Sequence, residues 1–117
     1  MLRRAAIERG EPIVGDADKW LNLIHVDDGV RVILAAEVRG KPGRVYNVCD
    51  GAPVRRRDFC TELSRVLGAP TPQFVAPTSE MPPHELANRR IRNLRMMEEL
   101  RPELRYPGYV AGLAASV

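Results

Sequence analysis

The stretch Trp20-Leu21-Asn22-Leu23-Ile24-His25-Val26-Asp27-Asp28 decides how the rest of the chain is read. A short apolar run, with strand character at Ile24 and Val26, ends on two adjacent carboxylates. A helical pattern follows, with Val30, Ile33, Leu34 and Val38 spaced to share one face. Asp27 suits an N-cap, its carboxylate accepting N–H groups that the first turn leaves unpaired. Asp28 falls inside that turn, where negative charge complements the helix dipole. The stretch predicts a strand-to-helix corner and a helix over 28–39, closed by Gly40 with Pro42 beyond it.

Downstream, Arg44-Val45-Tyr46-Asn47-Val48-Cys49 reads as a strand between Pro42-Gly43 and Asp50-Gly51. Apolar side chains at successive positions predict that both its faces are covered. Strand, helix and strand make one βαβ-sized unit, which implies parallel pairing. Phe59, Leu63, Val66 and Leu67 then form one apolar stripe on a helix over 56–67, ended by Gly68. Five prolines between Ala69 and Pro83 make that stretch an extended connector, in which Gln73-Phe74-Val75-Ala76 reads as a short strand. Asn93 is placed to cap a helix carrying Leu94, Met97 and Leu100, which Pro102 stops. Pro107-Gly108-Tyr109 opens a last helical segment with Val110, Leu113 and Ala114.

Upstream, residues 2–9 have helical spacing at Leu2, Ala5, Ala6 and Ile7, and Gly10 ends it. Pro12-Ile13-Val14 is extended and closes on a turn at Gly15-Asp16. A helix that begins at Met1 without a preceding cap reads as an element whose N-terminal context lies elsewhere. The 117 residues make at most one domain with one modest core. Aromatic residues are only 5%, so that core must be aliphatic. The expected class is α/β, with short parallel or mixed strands and four to five helices.

Net charge is +3, carried almost wholly by arginine, because lysine occurs only at 19 and 41. So mild an excess fits a protein handling anionic metabolites and does not single out nucleic acid. No apolar run approaches the ~20 residues that span a bilayer, and no apolar segment with a cleavage site follows Met1-Leu2-Arg3-Arg4. Cys49 and Cys60 read as buried thiols of a reducing compartment, and the chain as cytoplasmic.

Catalytic signatures are missing. No Gly-x-Gly-x-x-Gly or Walker loop occurs, because Gly40 and Gly43 have no third partner at the required spacing. Ser64, Ser79 and Ser116 lie in no nucleophile elbow, and no tyrosine at 46, 106 or 109 has a lysine four residues later. His25 beside Asp27 and Asp28, with His84 far off in sequence, reads as a satisfied histidine next to a cap and not as a metal cluster. Arg55-Arg56-Arg57 reads as a solvated face partly neutralised by Asp58 and Glu62. Met81, Met96 and Met97 read as core filler. In Asn88-Arg89-Arg90-Ile91-Arg92, an inward Ile91 would put Arg90 and Arg92 on the opposite face. Two guanidiniums there suit a phosphate or carboxylate.

The run Asn22–Asp28, its helix, and then Gly43-Arg44-Val45-Tyr46-Asn47-Val48-Cys49-Asp50 resemble the C-terminal, substrate-binding lobe of the extended short-chain dehydrogenases, the NAD-dependent epimerase/dehydratase family. Further features match in order. They are Pro53-Val54 before a helix ending Leu67-Gly68, Asn88-Arg89-Arg90-Ile91-Arg92-Asn93 before a helix ending Glu99-Leu100, and the Tyr106-Pro107-Gly108-Tyr109 tail with Gly112-Leu113. The tail and the Asn-Arg-Arg segment look most like the nucleotide-sugar epimerases or reductases.

The resemblance implies a partial Rossmann-like lobe over 1–117 whose N-terminal dinucleotide-binding domain, with its glycine-rich turn and Tyr-x-x-x-Lys, is absent. It also implies NAD(P) for the full-length family, none held by this chain alone, and no catalysis by this chain alone. Substrate contacts would come from Asn22, Asn88, Arg89 and Arg90, toward a nucleotide-sugar or another anionic small molecule. The sequence departs from the family pattern at Leu23, where an arginine or aromatic is usual, and at Arg92, where a small hydroxyl residue is.

A lobe that normally packs on a Rossmann domain leaves apolar surface bare. The expected partners are therefore a second copy, in a homo-oligomer, or the missing NAD-binding domain. Two alternatives stand beside this reading. One is half of a split epimerase completed by a separate NAD-binding chain. The other is a small basic nucleic-acid-binding module using Arg55–Arg57 and Arg89–Arg92, which lacks interleaved aromatics and a helix-turn-helix signature.

Overall fold

A computed structural model describes residues 4–78 and 80–116, apart from the side chains of His84 and Glu85. The readings made above on Leu2, Arg3, Ser79 and the His84 side chain lie outside the described residues. In order the elements are α1 (Arg4–Glu8), β1 (Ile13–Val14), β2 (Trp20–Leu21), α2 (Val26–Arg39), β3 (Val54–Arg55), α3 (Arg56–Leu67), β4 (Phe74–Val75), α4 (Pro83–Leu86), a single-turn π-helix (Met96–Leu100) and α5 (Tyr109–Ser116). The architecture is mixed α/β with five α-helices and short strands.

The strands pair in twos. β1 and β4 are parallel, with Ile13 opposite Phe74 and Val14 opposite Val75. β2 and β3 are antiparallel, with Trp20 opposite Arg55 and Leu21 opposite Val54. Parallel pairing exists, then, but not where the βαβ reading put it. Residues 44–49 form no strand. Their backbone is met by side chains instead: Arg95 Nη1 donates to the Val45 carbonyl at 3.1 Å, and Asn93 Nδ2 to the Cys49 carbonyl at 2.9 Å. Nor are both faces covered, for Val45 and Val48 are exposed while Cys49 is buried. Apolar composition makes a segment willing to be a strand, but a ladder needs repeated backbone pairing. Residues 45–49 make none among the described residues, and only the following Asp50 N–H reaches a backbone partner, the Leu23 carbonyl at 2.6 Å.

Two small cores hold the chain together. Val32 and Ala35 of α2 meet Met96 and Leu100 of the π-helix, with Ile24, Tyr46 and Leu104 around them. Ile7, Ile13 and Cys60 form the second core, flanked by Phe59, Leu63, Leu67 and Phe74. The helix over 56–67 has the bounds its sequence predicts, and Gly68 ends it in the left-handed region at φ 66°. Its buried line is Cys60 and Ser64, with the predicted phenylalanine and leucines on the shoulders.

Three sequence expectations fail around α2 and the π-helix. The N-cap of α2 is His25, not Asp27: His25 Nδ1 accepts the Asp27 N–H at 3.1 Å, and Asp27 is already helical and exposed. The apolar set Val30, Ile33, Leu34 and Val38 does not face the core. These residues are 51%, 69%, 56% and 79% exposed, while Asp28, Val32 and Ala35 on the opposite side are buried. Asn93 does not cap the helix that follows, because its side chain turns back to Cys49, and the π-turn buries Met96 and Leu100 while leaving Leu94 and Met97 exposed. The wider π register brings Met96 inward where a regular helix starting at Asn93 would bring Met97.

Asp28 is the fully buried charge. Its Oδ1 accepts the Arg105 N–H at 2.9 Å and Arg31 Nη1 at 3.0 Å, and its Oδ2 accepts the Tyr106 N–H at 2.8 Å. Burial alone would raise this carboxyl, but the two backbone N–H bonds and Arg31 outweigh it and hold it below its ordinary value.

The molecule is a slab of 44 × 32 × 18 Å with a radius of gyration of 15.9 Å. A chain of this length packed as a compact domain would have about 13 Å. A slab that thin leaves one side of α2 without anything to pack on.

Asp28→Ala should cost about 3 kcal/mol in urea unfolding, at the low end for stripping one partner from a buried charge network because the covering layer is thin. Asp28's folded pKa lies below its unfolded value, near 3.8, so its contribution is complete above that pH and lost as pH falls through the folded value. Acidification should therefore destabilise the parent chain more than Asp28→Ala. Ser64 Oγ is buried with no hydrogen-bond partner among the described residues. Ser64→Ala should stabilise by about 1 kcal/mol, read as a higher melting temperature.

Candidate functional site

The arginine-bearing segment 88–93 is laid along the opening stretch of sequence by asparagine clips. Asn88 Oδ1 accepts the Trp20 N–H at 2.9 Å. Asn22 Nδ2 donates to the Arg89 carbonyl and its Oδ1 accepts the Ile91 N–H, both at 2.7 Å. Asn22 thus copies with one side chain what a neighbouring strand would do with its backbone. Ile91 is half-buried, and Arg90 and Arg92 are exposed on a common groove of about 550 Å³ with Gly51, Pro53 and Asn93. Gly51 sits at φ +80°, and a Cβ there would lie 2.8 Å from Asn93 Nδ2, so the close approach that walls the groove needs glycine.

Trp20 organises the charges. The guanidinium carbon of Arg55 stands 4.0 Å from its ring centroid and that of Arg90 5.1 Å. Arg55 is held in place by Nη1 donating to the Asp18 carbonyl at 2.6 Å. Arg89, Arg90 and Arg92 have no carboxylate partner among the described residues. An indole ring attracts guanidinium, so Trp20 holds Arg90, which lines this groove, and Arg55, which lines the neighbouring one, without neutralising either. A second groove of about 560 Å³, lined by Trp20, Val54, Arg55, Asp58 and Tyr109, adjoins the pair.

Of the four sequence-predicted residues, then, Arg90 lies in the groove and Arg89 is exposed beside it. Asn22 and Asn88 are engaged in holding the segment. Trp20 and Arg55 join the site; the sequence assigned Trp20 no role and read Arg55 as part of a solvated face. The signal available was the lone tryptophan two residues before Asn22, but its pairing with Arg55 depends on the β2–β3 register. The Arg55–Arg57 run is not one solvated face neutralised by Asp58 and Glu62. Arg55 stacks on Trp20, Arg56 donates to the Val14 carbonyl at 2.8 Å, and Arg57 lies 3.6 Å from Asp18, while Glu62 pairs with Arg65. Position 55 points along β3 and 56 opens α3, so consecutive arginines diverge.

The described residues do not fit a dinucleotide pyrophosphate. Such a group takes free N–H donors at a helix start on a glycine-rich turn. At α2 the first turn carries Asp27 and Asp28 and is capped by His25. At α3 the Arg56 and Arg57 N–H groups are spent on the Lys19 and Ala17 carbonyls, both at 2.8 Å.

In fold the chain is similar to Rossmann-like NAD-dependent epimerase/dehydratase proteins, and about half of its length also resembles a curated member in sequence. That stretch is 40% identical over 58 residues to a dTDP-glucose 4,6-dehydratase of Streptomyces griseus, covering 50% of this chain and 18% of the relative. Among solved structures, a conserved protein of unknown function from Silicibacter pomeroyi is 35% identical with a TM-score of 0.75, over 91% of this chain and 39% of that one. A dTDP-glucose 4,6-dehydratase from Bacillus anthracis, in complex with NAD, is 20% identical with a TM-score of 0.73, over 97% and 35%. A UDP-glucose 4-epimerase from Thermotoga maritima, with UDP-glucose, is 22% identical with a TM-score of 0.75, over 95% and 35%. No protein-family model matches the chain. The chain thus spans about a fifth of its curated relative and about a third of the solved enzymes. No helix among the described residues is long and apolar enough to cross a membrane.

Pyrophosphate should shift the emission of Trp20, the only tryptophan, with an affinity that falls as salt rises. Arg90→Ala should weaken that binding by about tenfold or more. An unchanged affinity would remove Arg90 from the site.

Proposed function

We propose that the chain is the substrate-side, C-terminal-type lobe of an NAD-dependent epimerase/dehydratase, without catalysis of its own, that works docked on a dinucleotide-binding body. The carrying observation is the outer face of α2, where Val26, Val30, Ile33, Leu34 and Val38 form an unbroken aliphatic stripe that no described residue covers. Five such side chains in line are far more apolar surface than a soluble helix leaves bare without a partner. The extended segment 44–49, with exposed valines and no ladder, fits the same account: it is a strand waiting for a sheet.

In this reading NAD(P) is held by the body; the similar Bacillus anthracis dehydratase is a complex with NAD. The sequence here has neither the glycine-rich turn nor the tyrosine–lysine pair that hydride and proton transfer in the family require. The lobe supplies the anion clamp. Arg90 and Arg55 on Trp20, with Arg92 across the groove, grip the charged portion of a nucleotide-sugar or a similar anionic small molecule. Asn22 and Asn88 position that clamp. Cys49 and Cys60, both buried and unpaired, suit a reducing cytoplasm.

Without the body, the α2 face should drive self-association of the 117-residue chain. Light scattering should show mass rising with concentration, and Leu34→Glu should return a monomer. A concentration-independent monomer in the parent chain contradicts the docking face. Titration with NADH should show no stoichiometric uptake, and tight binding would overturn the division of labour proposed here.

A further inference from the structure

Between the start of α2, the inner side of α5 and the turn at Asp50 lies a cavity of about 270 Å³, separate from the arginine groove. Four rings line it, His25, Phe59, Tyr106 and Tyr109. His25 stacks on Tyr106 with centroids 4.1 Å apart, and Phe59 meets Tyr109 at 6.3 Å. Leu113 and Ile24 complete an apolar lining. α5 packs at ordinary contact distance here: a Cβ on Gly112 would lie 3.5 Å from the imidazole.

His25 and Ser116 look like a hydrolytic pair and are not one. His25 Nδ1 accepts the Asp27 N–H, so the neutral ring carries its proton on Nε2, 2.9 Å from Ser116 Oγ. The imidazole therefore donates to the hydroxyl, and the hydroxyl donates to the Gly112 carbonyl at 2.8 Å. A general base would have to accept from serine instead. Both polar groups are satisfied and serve as wall.

Asp50 is different. One carboxylate oxygen accepts the Ala52 N–H at 2.8 Å, and no lysine, arginine or histidine pairs with it among the described residues. Burial pushes this carboxyl up; the Ala52 N–H offsets part of that, and the negative charge of Asp28 adds to it. A carboxylate has been drawn partly out of water into an aromatic box with no cation to meet it.

We propose that this cavity is a binding site for a small organic cation, a primary amine or ammonium group carried on an aromatic or branched aliphatic body. The ammonium answers Asp50, and the Tyr106 and Tyr109 rings that line the same cavity supply aromatic surface that favours positive charge. The apolar remainder buries the body. Small-molecule pockets start at about 300 Å³, so the occupant is fragment-sized. Anions are repelled by Asp50, and a neutral ring of equal size leaves the carboxylate unanswered. The site is independent of the arginine groove and takes the opposite charge.

Benzylamine and benzyl alcohol, nearly equal in shape, separate the possibilities when titrated into the 117-residue chain at neutral pH and followed by tyrosine and histidine NMR shifts. Benzylamine should bind about tenfold tighter or more, as expected for a cation held by a desolvated carboxylate and aromatic faces. Asp50→Asn keeps an oxygen for the Ala52 N–H and should erase that preference. Equal affinities, no binding of either compound, or a preference that survives Asp50→Asn would each overturn the proposal. If the variant does not fold, the parent chain decides: amine affinity should fall as the pH is lowered to about 4, where carboxyls protonate. A pH-independent affinity would be fatal.

Discussion

Asp28 carries a full charge to a place water does not reach, and the chain answers with the N–H groups of Arg105 and Tyr106 and the guanidinium of Arg31. Because those two amides lie nearly eighty residues away in sequence, the carboxylate ties the start of α2 to the run into α5. With Tyr106 fixed, its ring falls on His25, and α5 begins three residues later against α3. The Met96–Leu100 core, the His25 cap and the Asp50 cavity all hang from this junction. A bare carboxylate would be costly there, but three donors make it a staple.

The rest of the molecule shows what such a staple cannot supply. Two small aliphatic cores, one at each side of a slab 18 Å thick, bury one face of each helix and no more. Layered α/β structures normally cover both a sheet and the helices on it. Here β1–β4 and β2–β3 are pairs of two residues each, too short to give α2 a sheet to lie on. The outer side of α2 is left exposed, as are Val45 and Val48 of the 44–49 segment. The arginine groove stays organised regardless, because asparagine side chains, a tryptophan face and a glycine turn fix it locally.

Much of the element plan was legible because its signals are local. Gly10 and Gly68 end helices in the left-handed region that glycine adopts freely, and Pro102 lacks the donor a further turn needs, reasons that hold wherever the segment packs. The short strand within the proline-rich connector was legible for the same reason. The cap was misread because Asp27 and His25 both carry acceptors near the helix start, and only the path of the chain entering from Ile24 chose between them. Residues 44–49 were misread because apolar alternation reports willingness to pair and says nothing of a neighbour.

The candidate site divides along the same line. Segment 88–93 could be recognised as two guanidiniums on one face, since that follows from extended geometry alone. That Asn22 would be used up as a clip, and that Trp20 would hold Arg55 and Arg90 together, required the β2–β3 register and a contact spanning seventy residues. By itself, then, the sequence determined where the longer helices stop, the mixed α/β class and the clustering of arginine near residue 90. Tertiary structure alone decided which side of α2 faces in, because Val32 with Ala35 and Ile33 with Leu34 are equally apolar stripes on one helix. Periodicity marks both. The buried carboxylate of Asp28, which shares the Val32 and Ala35 side and points toward the Arg105 and Tyr106 amides, holds that side to the core and leaves the other to the solvent.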